Sequence, residues 1–217
     1  MKRLLVPFLF LLAIPAHAWT READLRIAQK SAEMAPADLR LVIDHYRDAY
    51  VRGVDIALSD EGSEIHRAKL RARIEAESRA IAQMIRTNKP MVQVVERLGI
   101  LAHLVGDANN PFHIGDDDAT RRADFERYFE RGLSRFPTMF YGLERHLTLG
   151  AYLDRTFART AKFVPLVAEE YTRGTSATFD DRSTAFGVAS VCYSHAVTDM
   201  ANLEFFIWKE AGGNVRR

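Results

Sequence analysis

The chain is predicted to be all-α, a compact multi-helix single domain. Helix-period apolar patterns recur along the sequence, strand signals are weak, and no repeat, low-complexity stretch or interdomain linker divides it. The core of such a chain comes from packing helix on helix.

Residues 1–18 stand apart. Lys2 and Arg3 make a basic start, Leu4 to Ile14 form an apolar run, and Ala16-His17-Ala18 has the small-x-small pattern of a signal-peptidase site. This reads as a secretory signal, too short for a spanning helix, with cleavage between Ala18 and Trp19 and export to the periplasm or medium. Residues 21–34 and 37–52 read as two helices broken at Pro36, and 53–65 as a loop with a Gly-Ser turn. Residues 66–86, rich in Ala, Arg, Glu and Ile, read as an exposed amphipathic helix. Pro90 suits the first turn of the next helix, where Met91, Val94, Val95, Leu98, Ala102 and Val105 form a core-facing stripe. His103 and Asp107 fall off that stripe beside Gly99 and Gly106, where a backbone or a substrate can approach closely. Residues 120–135 and 150–172 read as helices, and 183–210 as a long terminal one.

Composition narrows the function. Without Lys2 and Arg3 the chain has 28 basic and 29 acidic side chains, a net charge of −1 instead of +1, so no strong overall field favours nucleic acid or an anionic membrane. Cys192 is the only cysteine, which excludes an intramolecular disulfide, and its apolar surroundings (FGVASVCY) mark it as a packing residue. No Ser/His or Cys/His nucleophile arrangement and no phosphate-cradling glycine loop is present.

The segment His103 to His113, HLVGDANNPFH, is the most informative one. Imidazole nitrogen and carboxylate oxygen are the donors that zinc takes from proteins. His103 and Asp107, four residues apart, share a helix face, Pro111 stops the helix from simply continuing, and His113 returns from the turn. Asp55 and His66 flank the loop upstream, and a second His-x-x-x-Asp pair, His195 and Asp199, lies on the terminal helix. Helical pairs of this kind also serve as plain polar partners, with the Asp orienting the His. His45 and His146 have no such partner and read as surface or core histidines.

HLVGDANNPFHIG resembles the signature of the zinc-dependent phospholipase C family and its relatives, the secreted single-strand nucleases. The matching residues are His103, Gly106, Asp107, Asn109, Pro111, His113 and Gly115. Leu104 stands where an aromatic is usual and Asp117 where an asparagine is usual. The resemblance runs from Trp19, at the predicted cleavage point, to about Gly115. It implies one to three zinc ions. Asp55, His66, His103 and Asp107 would bind the first. Trp19, through its free amine and carbonyl, and Asp107 would bind the second. A histidine that normally completes the second site is missing, and Asp24 or Glu22 could replace it; both are also ordinary first-turn acids. His113 would serve a third ion. Arg122 stands where the next histidine belongs and Glu126 where the acid belongs, so His195 and Asp199 are alternative ligands there.

The resemblance also implies a mechanism. Two ions sharing Asp107 would lower the pKa of a bridging water, whose hydroxide attacks phosphorus in line, with Asp55 as an assisting base. The expected activity is that of an exported phosphodiesterase acting on a phospholipid headgroup, with peripheral membrane contact. The alternatives are a single-strand nuclease and a non-catalytic metal-binding domain with incomplete sites. No obligate protein partner is evident. Phe112, Phe125, Tyr128 and Phe129 could contact acyl chains or stack on bases, but read mostly as core.

Overall fold

A computed structural model describes residues 20–59, 64–115 and 118–214, except the side chains of 64–68 and 119. Trp19 and the predicted signal therefore lie outside the described residues, as does the side chain of His66. The described residues form α1 (Arg21–Ala32), α2 (Ala37–His45), α3 (Arg47–Ser59), α4 (Glu64–Arg86), α5 (Met91–Ala108), α6 (Pro111–Ile114), α7 (Ala119–Gly132), α8 (Leu149–Ala161), α9 (Val164–Arg173) and α10 (Thr184–Glu210), with no strand among them. The fold is all-α, as the sequence predicts. None of these helices is long and apolar enough to cross a membrane.

Local chemistry sets the helix starts. The Thr20 hydroxyl accepts from the amide of Ala23, and Glu22 and Asp24 occupy the positive first turn of α1. Asn110 caps α6, Asp118 caps α7 and Ser183 caps α10 in the same way. Three boundaries differ from the sequence reading. The segment 37–52 divides at Tyr46, and α3 runs through the expected 53–65 loop as far as Ser59. Gly53 continues the helix because tertiary packing overrides its weak propensity: a Cβ there would lie 1.9 Å from the Glu96 carbonyl oxygen, and one on Gly99 would lie 2.1 Å from that of Tyr50. The backbones of α3 and α5 thus touch through paired glycines. The segment 150–172 divides into α8 and α9, since Pro165 fits only the first turn of a new helix.

Two apolar cores form. The first joins α2 to α5, α8 and the C-terminal half of α10, with Leu39, Val54, Ile74, Leu98, Leu101 and Leu203 at its centre. The second joins Phe112, Phe125, Tyr128 and Phe129 to the N-terminal half of α10 around Tyr193. The four aromatics beside the motif are therefore core residues. α1 and α10 run through both cores. Asp24 falls between Ala23 of the second core and Ala28 of the first, Asp199 between Val197 and Met200, and Asn109 between Ala108 and Phe112. Buried polar side chains thus gather along the seam where the cores meet.

Candidate metal centre

α5 brings His103 and Asp107 into this seam, and α1 brings Asp24; all three are fully buried. The Nδ1 of His103 lies 2.8 Å from an Asp24 carboxylate oxygen, and its Nε2 lies 3.3 Å from Asp107. One imidazole is held between two carboxylates. A carboxylate on one ring nitrogen fixes the tautomer and turns the other nitrogen toward its target, the usual support for a metal-binding histidine. Of the two first-turn acids, Asp24 reaches His103, whereas Glu22 is exposed.

The turn after α5 is tightly built. Asn110 accepts from the amide of Phe112 at 3.0 Å and starts α6, which buries His113. Arg122 and Glu126, one helical turn apart on α7, are also buried. A Cβ on Gly115 would lie 3.0 Å from the Val164 side chain, which explains the small residue closing the motif.

Asp55 has other company. On α3 it forms a two-pronged ion pair with Arg21, whose Nε donates to Oδ1 at 2.6 Å and Nη2 to Oδ2 at 3.1 Å. Both side chains are substantially exposed. This places Asp55 beside the start of α1, close in sequence to Trp19.

His195 and Asp199 do not form the expected pair. Asp199 accepts from the Tyr152 hydroxyl at 2.6 Å, Arg159 at 2.5 Å, Asn109 at 3.0 Å and Thr156 at 3.3 Å. Its oxygens are occupied by donors from α8 and from the motif turn. His195 instead stacks on Tyr141, with ring centroids 4.2 Å apart. Burial, followed by the nearby Arg159 cation, pulls its pKa down to about 4, so the ring is neutral at pH 7. The expectation that these two residues act together as a ligand pair meets a different arrangement here: helical spacing allows their contact, but α8 supplies partners for the acid. Asp199 holds the motif instead. Asn109 donates to both Asp199 and the Val105 carbonyl, and accepts from Arg159 at 2.9 Å.

Sequence reasoning missed Tyr152, Thr156 and Arg159. Their spacing of four and three residues puts them on one face of α8, and a polar stripe on an otherwise amphipathic helix was the available signal. It also missed Glu204 on α10. This fully buried carboxyl takes a 3.3 Å hydrogen bond from the Tyr50 hydroxyl, and burial pushes its pKa up to about 8. Cys192 is buried as expected, which raises its thiol pKa and leaves it inert.

The donors around His103 are of the right type for zinc: an imidazole nitrogen and carboxylate oxygen, shielded from water. Among the described residues, no three His, Cys, Asp or Glu side chains are arranged around a common point that could hold an ion. Two of the expected ligands, Trp19 and His66, fall outside the side chains described. No protein-family model and no curated protein matches the chain.

Proposed function

We propose that the chain is an exported, zinc-dependent phosphodiesterase of the phospholipase C type. The observation that supports this reading most directly is the buried Asp24–His103–Asp107 arrangement at the head of the HLVGDANNPFH motif. His103 and Asp107 are the ligands at its centre, with Asp55, His66, Trp19 and His113 as the further donors. An ion held there would polarise a phosphoryl oxygen and lower the pKa of a coordinated water. The chain's own contribution is positional. Asp24 orients His103, Asp199 and Arg159 clamp Asn109 and hence the turn leading to His113, and the two apolar cores exclude water around them. Export is proposed from residues 1–18.

The test combines elemental analysis of the purified protein with hydrolysis of phosphatidylcholine and of single-stranded DNA. Two or three bound zinc ions, with headgroup release that disappears in His103→Ala and Asp107→Asn, support the reading. Activity that survives loss of both residues rejects it. Preference for single-stranded DNA assigns the protein to the nuclease alternative. A second reading, a non-catalytic metal-binding domain, is favoured by Arg122, buried where a third-site histidine belongs. One tightly held ion without hydrolysis of either substrate selects that reading.

A further inference from the structure

Residues 137–144, between α7 and α8, are neither helix nor strand and are bonded along α10. Ser194, Thr198 and Asn202, spaced four residues apart, form a ladder that fixes their backbone. The Ser194 hydroxyl donates to the Pro137 carbonyl at 3.0 Å and accepts from the Met139 amide at 3.1 Å. The Thr198 hydroxyl accepts from the Tyr141 amide at 3.1 Å and donates to the Met139 carbonyl at 3.4 Å. The Asn202 amide group donates to the Gly142 carbonyl at 3.1 Å and accepts from the Glu144 amide at 2.7 Å. Glu144 is tied in addition to Arg155 of α8. The strap backbone is thus held by side chains of α10 instead of by a neighbouring backbone.

This scaffold displays three consecutive apolar side chains to solvent: Met139 is 54%, Phe140 38% and Tyr141 51% exposed. Among the described residues the other large exposed apolar side chains, Leu41, Ile56 and Leu166, are far apart in sequence, the ordinary condition of a protein surface. Further along the strap Arg145 and His146 are exposed, and the Lys209 ammonium sits on the Arg145 carbonyl at 3.2 Å. Among the described residues no acid pairs with Arg145.

We propose that residues 139–141 are a docking point for a phospholipid bilayer. The proposal rests on the phosphodiesterase reading only for its biological purpose, access to a lipid substrate. Area argues for this occupant. Three half-exposed side chains offer roughly 300 Å², against about 800 Å² per partner in a stable protein interface. A bilayer needs no complementary surface, because side chains enter it singly. Composition agrees: tyrosine suits the boundary between headgroups and acyl chains, while Met139 and Phe140 can reach the apolar side. Arg145 and Lys209 are cations suited to the phosphate layer. Rigidity contributes as well, since a fixed backbone loses little entropy when its side chains insert.

Phosphatidylcholine vesicles provide the test. In the Phe140→Trp variant the new indole is expected to be quenched by brominated phosphatidylcholine beyond the level of wild type. This reads strap contact directly, whatever residues 1–18 do. Sedimentation with vesicles is expected to weaken by about tenfold in Met139→Ser/Phe140→Ser and not in Leu41→Ser, which removes an isolated exposed apolar residue. An indole that stays unquenched overturns the proposal, as does self-association that depends on Met139 and Phe140 without vesicle contact. Hydrolysis of a water-soluble phosphodiester by wild type, measured separately, needs no membrane. Its absence alongside a quenched indole would reject the phosphodiesterase reading and leave the docking surface standing.

Discussion

The chain contains two His-x-x-x-Asp pairs on helices, and they end in opposite arrangements. His103 and Asp107 meet at 3.3 Å in a buried site, with Asp24 on the other ring nitrogen. His195 and Asp199 separate: the ring stacks on Tyr141, and the acid takes donors from Tyr152, Thr156, Asn109 and Arg159. Spacing brings two side chains to one helix face, but the residues presented by other helices decide what they do there. Around Asp107 the neighbours include an acid and an imidazole, a composition that suits a cation. Around Asp199 a cation of the protein's own, Arg159, is already built in, with hydroxyl and amide donors around it.

The largest expected effect tests the first pair. Asp107→Asn should lower kcat/KM for a phosphodiester by about 10³-fold or more, the scale of losing an electrostatic group aimed at the reacting centre. Asp24→Asn should weaken zinc binding by about 10–100-fold, as expected for a residue that orients a ligand. Competition with a chromophoric chelator measures this. Equal zinc affinity in Asp24→Asn and wild type would remove the orienting role.

The second pair should respond in stability. Asp199→Ala removes the carboxylate that pairs with Arg159 and accepts from three further donors, and should cost roughly 3–5 kcal/mol in urea unfolding. Asp199→Asn should be milder and should keep its zinc. Loss of zinc at unchanged stability would make Asp199 a ligand after all and erase the contrast.

Glu204 is an intermediate case, a buried acid with the Tyr50 hydroxyl as its hydrogen-bond partner. Its folded-state pKa, about 8, lies above the usual 4.5. The folded protein therefore holds a proton that the unfolded chain gives up as pH rises. The resulting stabilisation is complete below pH 4.5 and is lost as pH climbs through about 8. Glu204→Gln should abolish this dependence and exceed wild type by about 4 kcal/mol at pH 8. Urea midpoints at pH 5 and pH 8 for both proteins check it.

The smallest effect concerns the strap. Asn202→Ala removes two hydrogen bonds to the strap backbone and one to the Thr198 carbonyl, and should cost about 1–2 kcal/mol. Faster amide exchange at Glu144, which donates to Asn202, would report it.

The sequence pattern made the helices legible wherever apolar periodicity and caps agreed, as in α5 and α10. It misplaced the end of α3 because Gly53 reads as a breaker in isolation, and only contact with α5 shows why a glycine belongs inside that helix. At the site, His103 and Asp107 were legible as a pair, since both lie on one helix. Asp24 was one of two equal candidates because its partner lies 79 residues away. The hydrogen-bond partners of Asp199 were not legible for the same reason, since they come from α8 and the motif turn.

The paired glycines of α3 and α5 have a mechanical consequence. At these glycines backbone meets backbone with no side chain between, so the two helices pack as one close plate. Asp55 rides on one half of that plate, and His103 and Asp107 ride on the other. Candidate ligands mounted in this way share a common reference frame, to which α1 is joined through Arg21 and Asp24. An added methyl at Gly53 or Gly99 would act as a shim, shifting that frame from outside the site.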